Sequence, residues 1–303
     1  MSIPGAGQEM VDVTPFEELY PFGAHWLELE GARYHYLDEG PRDAPVVLMV
    51  HGNPTWSFYY RTLIPEISQA YRVVVPDHVG CGLSDKPQDY AYTLEQHIKN
   101  LETLVAQLGL KDLALVMHDW GGAIGMGYAT RHPQNVSRLV VFNTAAFYHP
   151  AVPWRIRICR YPLLGDVGVR GLNGFARVAL IAALAHRERI TPQVRAGYLA
   201  PYDSWRNRIA ILRFVQDIPM EKEHPTRKTL DDIEARLKLF EEHPVLIVWG
   251  AQDFCFTERV FLPEWQRRFP QARVRVVPDA GHYVVEDAHE RIVPWMLEFL
   301  GER

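Results

Sequence analysis

One carboxylate, Asp119, stands where the chain's pattern predicts a sharp turn from a strand to a helix. The apolar run 113–117 reads as a buried strand, and a helix is expected to begin at Gly121 and Gly122. Such a turn lifts one side chain into a pocket, and serine is often the nucleophile there. A serine that displaced a leaving group from an sp³ carbon would form an ether, which water does not readily cleave. Aspartate would form an ester that an activated water can hydrolyse, so Asp119 predicts displacement or ring opening through a covalent ester.

A nucleophile of this kind needs a base and a group that orients the base. His282 follows the last predicted strand, and Gly281 before it allows a tight turn. Asp253 follows the preceding strand. Both lie at carboxyl ends of predicted strands, where open α/β sheets place their ligands. We therefore expect Asp119, Asp253 and His282 to form a nucleophile–acid–base triad, in the chain order that such triads have in strand–helix folds.

Two further residues are candidates for holding an anion. Asn53 follows the predicted strand 45–50, and Trp120 follows Asp119 directly. Their backbone N–H groups are placed to stabilise the negative oxygen of a tetrahedral intermediate. The Asn53 amide and the Trp120 indole N–H can also donate towards a departing halide or another anion. The alternative is that Asn53 shapes a turn and Trp120 only packs.

Other polar residues near these motifs are expected to be structural. His118 reads as a packed or hydrogen-bonded core residue, and Asp77 and His78 read as residues that shape a loop. Glu286 and Asp287 lie too close to His282 in sequence to reach behind its imidazole easily, so neither is expected to be the acid.

Composition limits the class of protein. The chain has 303 residues, 48% hydrophobic and 23% charged, as is usual for a globular protein with a sizeable core. A formal net charge of −5 without a long basic run argues against a nucleic-acid partner. No Walker, GxGxxG or HExxH motif is present, so no cofactor or metal is expected.

Three scattered cysteines without CxxC spacing argue against a disulfide framework or zinc site and favour a reducing compartment. The first ten residues lack the basic-then-apolar pattern of a secretion signal, and no apolar run is long enough for a membrane span. A cytoplasmic protein is the resulting expectation.

Short β-rich runs alternate with helical patterns over most of the chain. A helix is predicted from Leu94 to Leu108, with Thr93 as N-cap, Gln96 completing a capping box and Gly109 ending it. Strand–helix alternation implies a mostly parallel sheet covered by helices on both faces. The eight predicted strands are 25–30, 32–37, 45–50, 71–75, 113–117, 138–142, 245–249 and 272–277.

The alternation stops after Asn143. From about residue 148 to 230 the patterns are helical, including 174–185 and 205–215, and prolines punctuate them. We interpret this stretch as a helical cap inserted between sheet strands. The predicted division is a first core part at 1–147, a cap at 148–230 and a second core part at 231–303.

Several motifs together resemble those of haloalkane dehalogenases of the α/β-hydrolase superfamily. They are HGNPTWSFYYR (51–61), PDHVGCGLSDKP (76–87), HDWGG (118–122), WGAQDF (249–254) and DAGHYVVED (279–287). The resemblance runs from about residue 20 to 300 and implies an α/β-hydrolase fold with an inserted cap. It also implies Asp119 as nucleophile, His282 as base, and Asn53 with Trp120 as the halide-binding pair. Some dehalogenases carry the acid at the position of Asn143, which cannot ionise, so the resemblance assigns the acid to Asp253, as in the third subfamily.

The cap resembles a different group, the β-lactone decarboxylases of bacterial long-chain olefin synthesis. The resemblance lies in 143–147, 153–155, 201–208 and 213–219. Those enzymes share the third subfamily's catalytic residues, open a β-lactone and release a cis-alkene and carbon dioxide. A departure from the usual elbow is Met117, which stands where glycine is common.

The sequence leaves several functions open. The first expectation is haloalkane hydrolysis, and the alternative is β-lactone decarboxylation; both need a small apolar substrate, and the first releases a halide ion. Epoxide hydrolysis would need acid donors from the cap, for which Tyr148, Tyr161, Tyr198 and Tyr202 are candidates. A binding protein without catalysis is a fourth reading. By resemblance to relatives, self-association or a multienzyme assembly is compatible with the apolar cap.

Overall fold

An eight-stranded sheet forms the centre of the protein in a computed structural model, which describes residues 11–302. The strands are β1 (His25–Leu29), β2 (Ala32–Glu39), β3 (Val46–Val50), β4 (Arg72–Pro76), β5 (Leu113–Asp119), β6 (Val136–Thr144), β7 (Val245–Gly250) and β8 (Arg273–Val277). All eight predicted strands are confirmed, each within two residues of its predicted ends.

The strand order is β1-β2-β4-β3-β5-β6-β7-β8. Strand β2 runs antiparallel to both of its neighbours, and every other pair is parallel. Strands β3, β5 and β7 are buried along their whole length, which explains their continuous apolar sequence. The mostly parallel eight-stranded sheet predicted from the sequence is therefore confirmed.

Helices cover both faces of the sheet. They are α1 (Ile64–Ile67), α2 (Leu94–Leu108), α3 (Trp120–Arg131), α4 (Trp154–Ile158), α5 (Gly174–Ala182), α6 (Pro192–Leu199), α7 (Ile209–Gln216), α8 (Pro225–Arg236), α9 (Glu258–Arg268) and α10 (Val284–Gly301). Short 3-10 turns occupy Thr14–Leu19, Ser57–Tyr60, Pro133–Asn135, Arg187–Arg189, Ala200–Tyr202, Arg206–Arg208 and Leu237–Phe240, and Asp166–Gly171 is a π-helical turn. Two large apolar clusters, one on each face of the sheet, form the core.

Helix α2 has the predicted bounds, and one detail of its cap is different. Thr93 accepts a hydrogen bond from the Gln96 backbone N–H, and Gly109 ends the helix with a φ of 60°. The reciprocal half of the capping box is not formed, because the Thr93 N–H donates to the Ala91 carbonyl rather than to the Gln96 side chain, whose NH₂ donates to Asn100. The prediction that Gln96 completes the box was therefore wrong at its side chain.

Helices α4 to α7 lie between β6 and β7, in the stretch that the sequence assigns to a cap. No strand interrupts this stretch among the described residues. The boundary predicted at 230 falls inside α8, which packs on α2 and α3. We therefore propose that the cap ends before Pro225, where α8 begins. In the described part of the chain, no helix is both long and apolar enough to cross a membrane.

Candidate active site

Asp119 ends β5 in a strained conformation, with φ 51° and ψ −126°. The pairing of β5 with β6 shifts register between Met117 and Asp119, which lifts Asp119 out of the strand's regular alternation. Thr144 on β6 donates its hydroxyl to the Asp119 carbonyl. A Cβ atom on Gly122 would lie 1.9 Å from that same hydroxyl oxygen, so only glycine allows the helix to start this close to β6. The chain therefore forms the sharp strand–helix turn that its sequence predicts.

Met117, the departure from the common elbow pattern, is accommodated by a glycine on the following helix. A Cβ atom on Gly125 would lie 2.8 Å from Met117 Cγ and Sδ. The Met117 side chain thus fills space that a larger residue at 125 would need. The absence of a side chain at Gly125 of α3 therefore leaves room for Met117.

The Asp119 carboxylate is nearly buried and has one oxygen held by the backbone. Its Oδ1 accepts a hydrogen bond from the Asn53 N–H at 2.6 Å. Burial raises the pKa of Asp119, although the His282 charge and the N–H groups of Asn53 and Trp120 oppose that shift. The two N–H groups that the sequence nominated as oxyanion donors therefore both act on this carboxylate.

The structure brings His282 and Asp253 to the same place. His282 Nδ1 donates to Asp253 Oδ2 at 2.8 Å, and His282 Nε2 lies 3.6 Å from Asp119 Oδ2. Burial alone would lower the pKa of His282, but the carboxylates of Asp253 and Asp119 outweigh it and raise the pKa above its ordinary value. The imidazole is thus oriented by one carboxylate and presented to the other.

Besides His282, three donors hold Asp253. Its Oδ1 accepts from the backbone N–H groups of Cys255 at 2.6 Å and Phe256 at 3.0 Å. Its Oδ2 also accepts from Asn143 Nδ2 at 2.9 Å. The Asn143 amide is fixed in turn by the backbone of Gly250. Sequence reasoning treated Asn143 only as a residue unable to be the acid, although its place at the end of β6, beside β7, was a signal for this contact.

The side chains of Asn53 and Trp120 both line the cavity above Asp119. Asn53 Nδ2 donates to the carbonyl of Ile211 in α7 at 3.2 Å, which ties this residue to the cap. An amide nitrogen carries two hydrogens, so one remains for a bound anion. The indole of Trp120 packs against Phe214, with ring centres 5.4 Å apart. Their anion-binding function stays a prediction.

The residues that the sequence assigned to structural positions have such contacts here. His118 donates through Nε2 to the His282 carbonyl at 2.9 Å and stacks on Tyr59, and burial lowers the pKa of His118 strongly. Asp77 accepts from His35 and from the backbone of Ser57 and Leu83.

The remaining three residues of that group are also engaged by neighbours. His78 binds His51 through its backbone N–H and its ring. Glu286 pairs with Arg61 and accepts from Tyr198, while Asp287 accepts from three backbone N–H groups. Neither of these two carboxylates is bonded to His282.

An apolar cavity extends from Asp119 into the region of α4 to α8. Its space, including the opening to solvent, is about 1000 Å³. Asp119 and Trp120 lie at its floor, and Phe147, Ile156, Phe175, Val215, Ile218 and Leu230 are among the apolar residues around it. A pocket lined mostly by apolar side chains suits an apolar substrate.

The cap tyrosines do not form a pair of acid donors at this cavity. Tyr148 lines it, but Tyr198 donates its hydroxyl to Glu286 and Tyr202 donates to the Thr55 carbonyl. Tyr161 is largely exposed. This arrangement disfavours the epoxide-hydrolase alternative, which requires two such donors. Within residues 11–302, no group of three or more His, Cys, Asp or Glu side chains is arranged to hold a metal ion.

The sheet, the strained aspartate at the end of β5 and the His282–Asp253 pair define an enzyme of the α/β-hydrolase superfamily. The chain belongs to the family described as alpha/beta hydrolase fold, whose sequence profile matches residues 45–166 and 182–288. It is 46% identical to a cis-3-alkyl-4-alkyloxetan-2-one decarboxylase of Shewanella oneidensis, over 94% of this chain and 91% of that protein. A protein with the same description from Xanthomonas campestris is 43% identical, over 93% of this chain and 97% of that protein.

Haloalkane dehalogenases are more distant relatives. Haloalkane dehalogenase 2 of Mycobacterium bovis is 30% identical, over 96% of this chain and 99% of that protein. The crystal structure of a loop variant of the haloalkane dehalogenase DbeA from Bradyrhizobium elkanii superposes with a TM-score of 0.81 at 25% identity, covering 92% of this chain and 97% of that one. Both resemblances noted in the sequence are therefore confirmed. The decarboxylases are the closer of these relatives.

Proposed function

We propose that this enzyme decarboxylates β-lactones that carry two alkyl chains, giving a cis-alkene and carbon dioxide. The observation that carries the proposal is that Asp119 is the one carboxylate among the residues that line a mostly apolar cavity, within the part of the chain that the structure describes. The higher identity to the two oxetan-2-one decarboxylases than to the dehalogenases supports the lactone over a haloalkane as substrate. This reverses the order in which the sequence alone ranked the two activities.

Asp119 Oδ2 is the attacking atom in the proposed first step, because Oδ1 is occupied by the Asn53 N–H. Oδ2 forms a bond to ring carbon 4 of the lactone, and the bond from that carbon to the ring oxygen breaks. The electron pair stays on the ring oxygen, which becomes a free carboxylate. The side-chain N–H groups of Asn53 and Trp120 are placed to receive this new anion.

The second step releases both products without water. The bond between the carboxylate carbon and ring carbon 3 breaks, and its electron pair forms the double bond between carbons 3 and 4. The bond from carbon 4 to Oδ2 breaks at the same time and restores the Asp119 carboxylate. Inversion in the first step followed by anti elimination in the second retains the cis relation of the alkyl chains, so a cis-lactone gives a cis-alkene.

Haloalkane hydrolysis is the second candidate, favoured by the pair of donors that flank Asp119. In that reaction Asn53 and Trp120 would hold the departing halide, leaving an alkyl ester on Asp119. His282, oriented by Asp253, would deprotonate a water that attacks the ester carbonyl. The N–H groups on Oδ1 would then stabilise the tetrahedral oxyanion.

Labelled water separates the two reactions. The enzyme is incubated in H₂¹⁸O with a cis-dialkyl-β-lactone or, in parallel, with a 1-bromoalkane. We expect rapid cis-alkene release and no label in the peptide that contains Asp119, together with slow or undetectable bromide release. Bromide release faster than alkene release, with label entering Asp119, would replace the lactone proposal by dehalogenation.

Two variants test the shared nucleophile and the base. Asp119→Asn keeps the side chain's shape, and its turnover is expected to fall by about four orders of magnitude. His282→Ala should retain alkene release better than bromide release, because only ester hydrolysis needs a deprotonated water. If Asp119→Asn retained normal turnover on both substrates, Asp119 would not be the nucleophile.

A further inference from the structure

The part of the chain with the largest cluster of exposed apolar side chains is residues 154–172, here called the 154–172 segment. It holds α4, a turn and the π-helical turn Asp166–Gly171. Trp154 is 69% exposed and Leu163 is 72% exposed. The other exposed apolar residues of the segment are Ile158, Tyr161, Leu164, Val167 and Leu172. An exposed apolar surface of this extent indicates an interaction site.

The charge of the 154–172 segment is opposite to that of the whole chain. It contains four arginines and one aspartate, giving +3, whereas the chain carries −5. Arg160 pairs with Glu221 and Arg170 lies near Asp166, but among the described residues no ion pair occupies Arg155 or Arg157. The positive charge of this segment would therefore attract a negatively charged partner.

The segment adjoins the active-site cavity. Ile156 of α4 lines the cavity, between the exposed Arg155 and Arg157. Arg157 and Tyr161 also line a shallow polar groove with Arg213, and Met220 lines both this groove and the cavity. A partner seated on the segment would thus lie beside residues that line the cavity of Asp119.

We propose that the 154–172 segment docks on the surface of an anionic lipid bilayer and loads substrate from it. Trp and Tyr at the interface, arginines at the level of the phosphates and leucines reaching the acyl chains are the composition of interfacial membrane anchors. Leu163 and Leu164 lie between α4 and the π-helical turn, and both are exposed, so the segment presents apolar side chains to solvent between Arg160 and Arg170 in sequence. Substrate loading rests on the proposed lactone function, since a molecule with two alkyl chains dissolves in a bilayer. The docking itself is independent of the proposed function.

Vesicle sedimentation without substrate tests the docking. The probes are phosphatidylcholine vesicles with and without phosphatidylglycerol. The protein is expected to co-sediment with the anionic vesicles and to be released by high salt. Arg155→Glu combined with Arg157→Glu should weaken this binding by about tenfold or more, and Leu164→Ser should weaken it by about tenfold.

Matched controls lie at the opposite end of the parallel strands, before β5 and β7. Lys111→Glu combined with Lys238→Glu makes the same change in charge, and Leu239→Ser removes an equally exposed leucine. These variants should bind the anionic vesicles like the unaltered protein, and thermal melts should show that all variants are folded. Equal weakening by the control set would overturn the proposal.

Other results would also overturn the docking. One is an unaltered protein that stays in solution with anionic vesicles. Another is a protein that does not bind vesicles but forms a dimer in sedimentation velocity, where Arg155→Glu combined with Arg157→Glu dissociates the dimer. The partner of the 154–172 segment would then be a second copy of the chain.

The loading step has a readout of its own. Turnover of a cis-lactone dissolved in anionic vesicles should fall in the segment variants, while turnover of the same lactone dispersed in detergent should not change. Vesicle binding without lactone turnover would contradict only the proposed function, and equal turnover of the vesicle-borne lactone by all variants would contradict loading.

Discussion

At the scale of single residues, the candidate site depends on a chain of contacts that begins behind Asp119. His282 lies between Asp119 and Asp253, and Asn143 holds the far side of Asp253. Because Asn143 neither lines the cavity nor touches the imidazole, it acts through Asp253 as a positioning residue. By resemblance, position 143 is the alternative position of the acid, and Asn143 places a neutral amide there instead of a carboxylate.

Replacing Asn143 should change the titration of His282. In Asn143→Ala, Asp253 Oδ2 loses a donor, its negative charge is less dispersed and the imidazolium beside it is favoured. The pKa of His282, already raised by the carboxylates, should therefore move to higher pH. Bromide release from a 1-bromoalkane, the reaction that would need His282 as base, should fall by about tenfold with KM unchanged. Histidine NMR titration and steady-state kinetics measure these two effects.

Asn143→Asp is the companion variant. It places a second carboxylate beside Asp253 and should raise the pKa of His282 further than alanine does. A residue with only a packing function would lower stability in both variants and leave the His282 titration where it was. That result would contradict the positioning function.

At the scale of elements, one carboxyl joins three helices at the edge of the cavity. Asp217 follows α7, accepts from the Leu94 N–H at the start of α2 at 2.7 Å, and accepts from the Thr226 hydroxyl of α8 at 2.6 Å. Burial raises the pKa of Asp217 to about 6. The folded state thus binds this proton more tightly than the unfolded chain, so the stabilisation is present below pH 3.8 and is lost as pH rises through about 6.

Asp217→Asn should remove that pH dependence. The difference in unfolding free energy between the variant and the unaltered protein should shift in the variant's favour by about 2 kcal/mol from pH ~4 to pH ~7. Urea unfolding at several pH values measures it. A difference that stays constant with pH would show that Asp217 is ionised at the ordinary carboxyl pKa in the folded protein.

At the scale of the whole molecule, Asp287 links the loop that contains His282 to the proposed cap. Its carboxylate accepts from the N–H groups of Ala185 and His186 at 2.9 Å and of Gly281 at 2.8 Å. The Tyr283 N–H also donates to the Ala183 carbonyl. Movement of the segment after α5 would therefore be transmitted to His282 through the residues on either side of it.

Removing the hydrogen bonds of Asp287 should increase the mobility of residues 183–186 and of the loop that contains His282 together. Asp287→Ala leaves three backbone N–H groups without their acceptor and should cost about 3 kcal/mol or more of stability. Hydrogen exchange should accelerate at 183–186 and at 281–283. Glu290→Ala, which removes an exposed pair with Arg189 across the same two elements, should cost less than about 1 kcal/mol. Equal losses in the two variants would contradict the function assigned to Asp287.

The sequence by itself determined the eight strands and the fold class. Short continuous apolar runs such as 245–249, each followed by a helical pattern, predict strands buried on both faces of a parallel sheet. It also identified Asp119, Asp253 and His282 as candidates, since strand ends in a parallel sheet converge on one edge. The functions of these residues remain predictions that the geometry supports.

Only the tertiary structure decided which polar groups support that site and what surrounds it. The contact of Asn143 with Asp253, the link from Asp287 to the cap and the bond from Asn53 to α7 each join residues more than 100 positions apart. Local sequence patterns do not show which residues so far apart in the chain come into contact. The cavity is likewise set by how α4 to α8 pack against one another and the rest of the chain, and side-chain packing between non-neighbouring elements is fixed only when the whole chain folds.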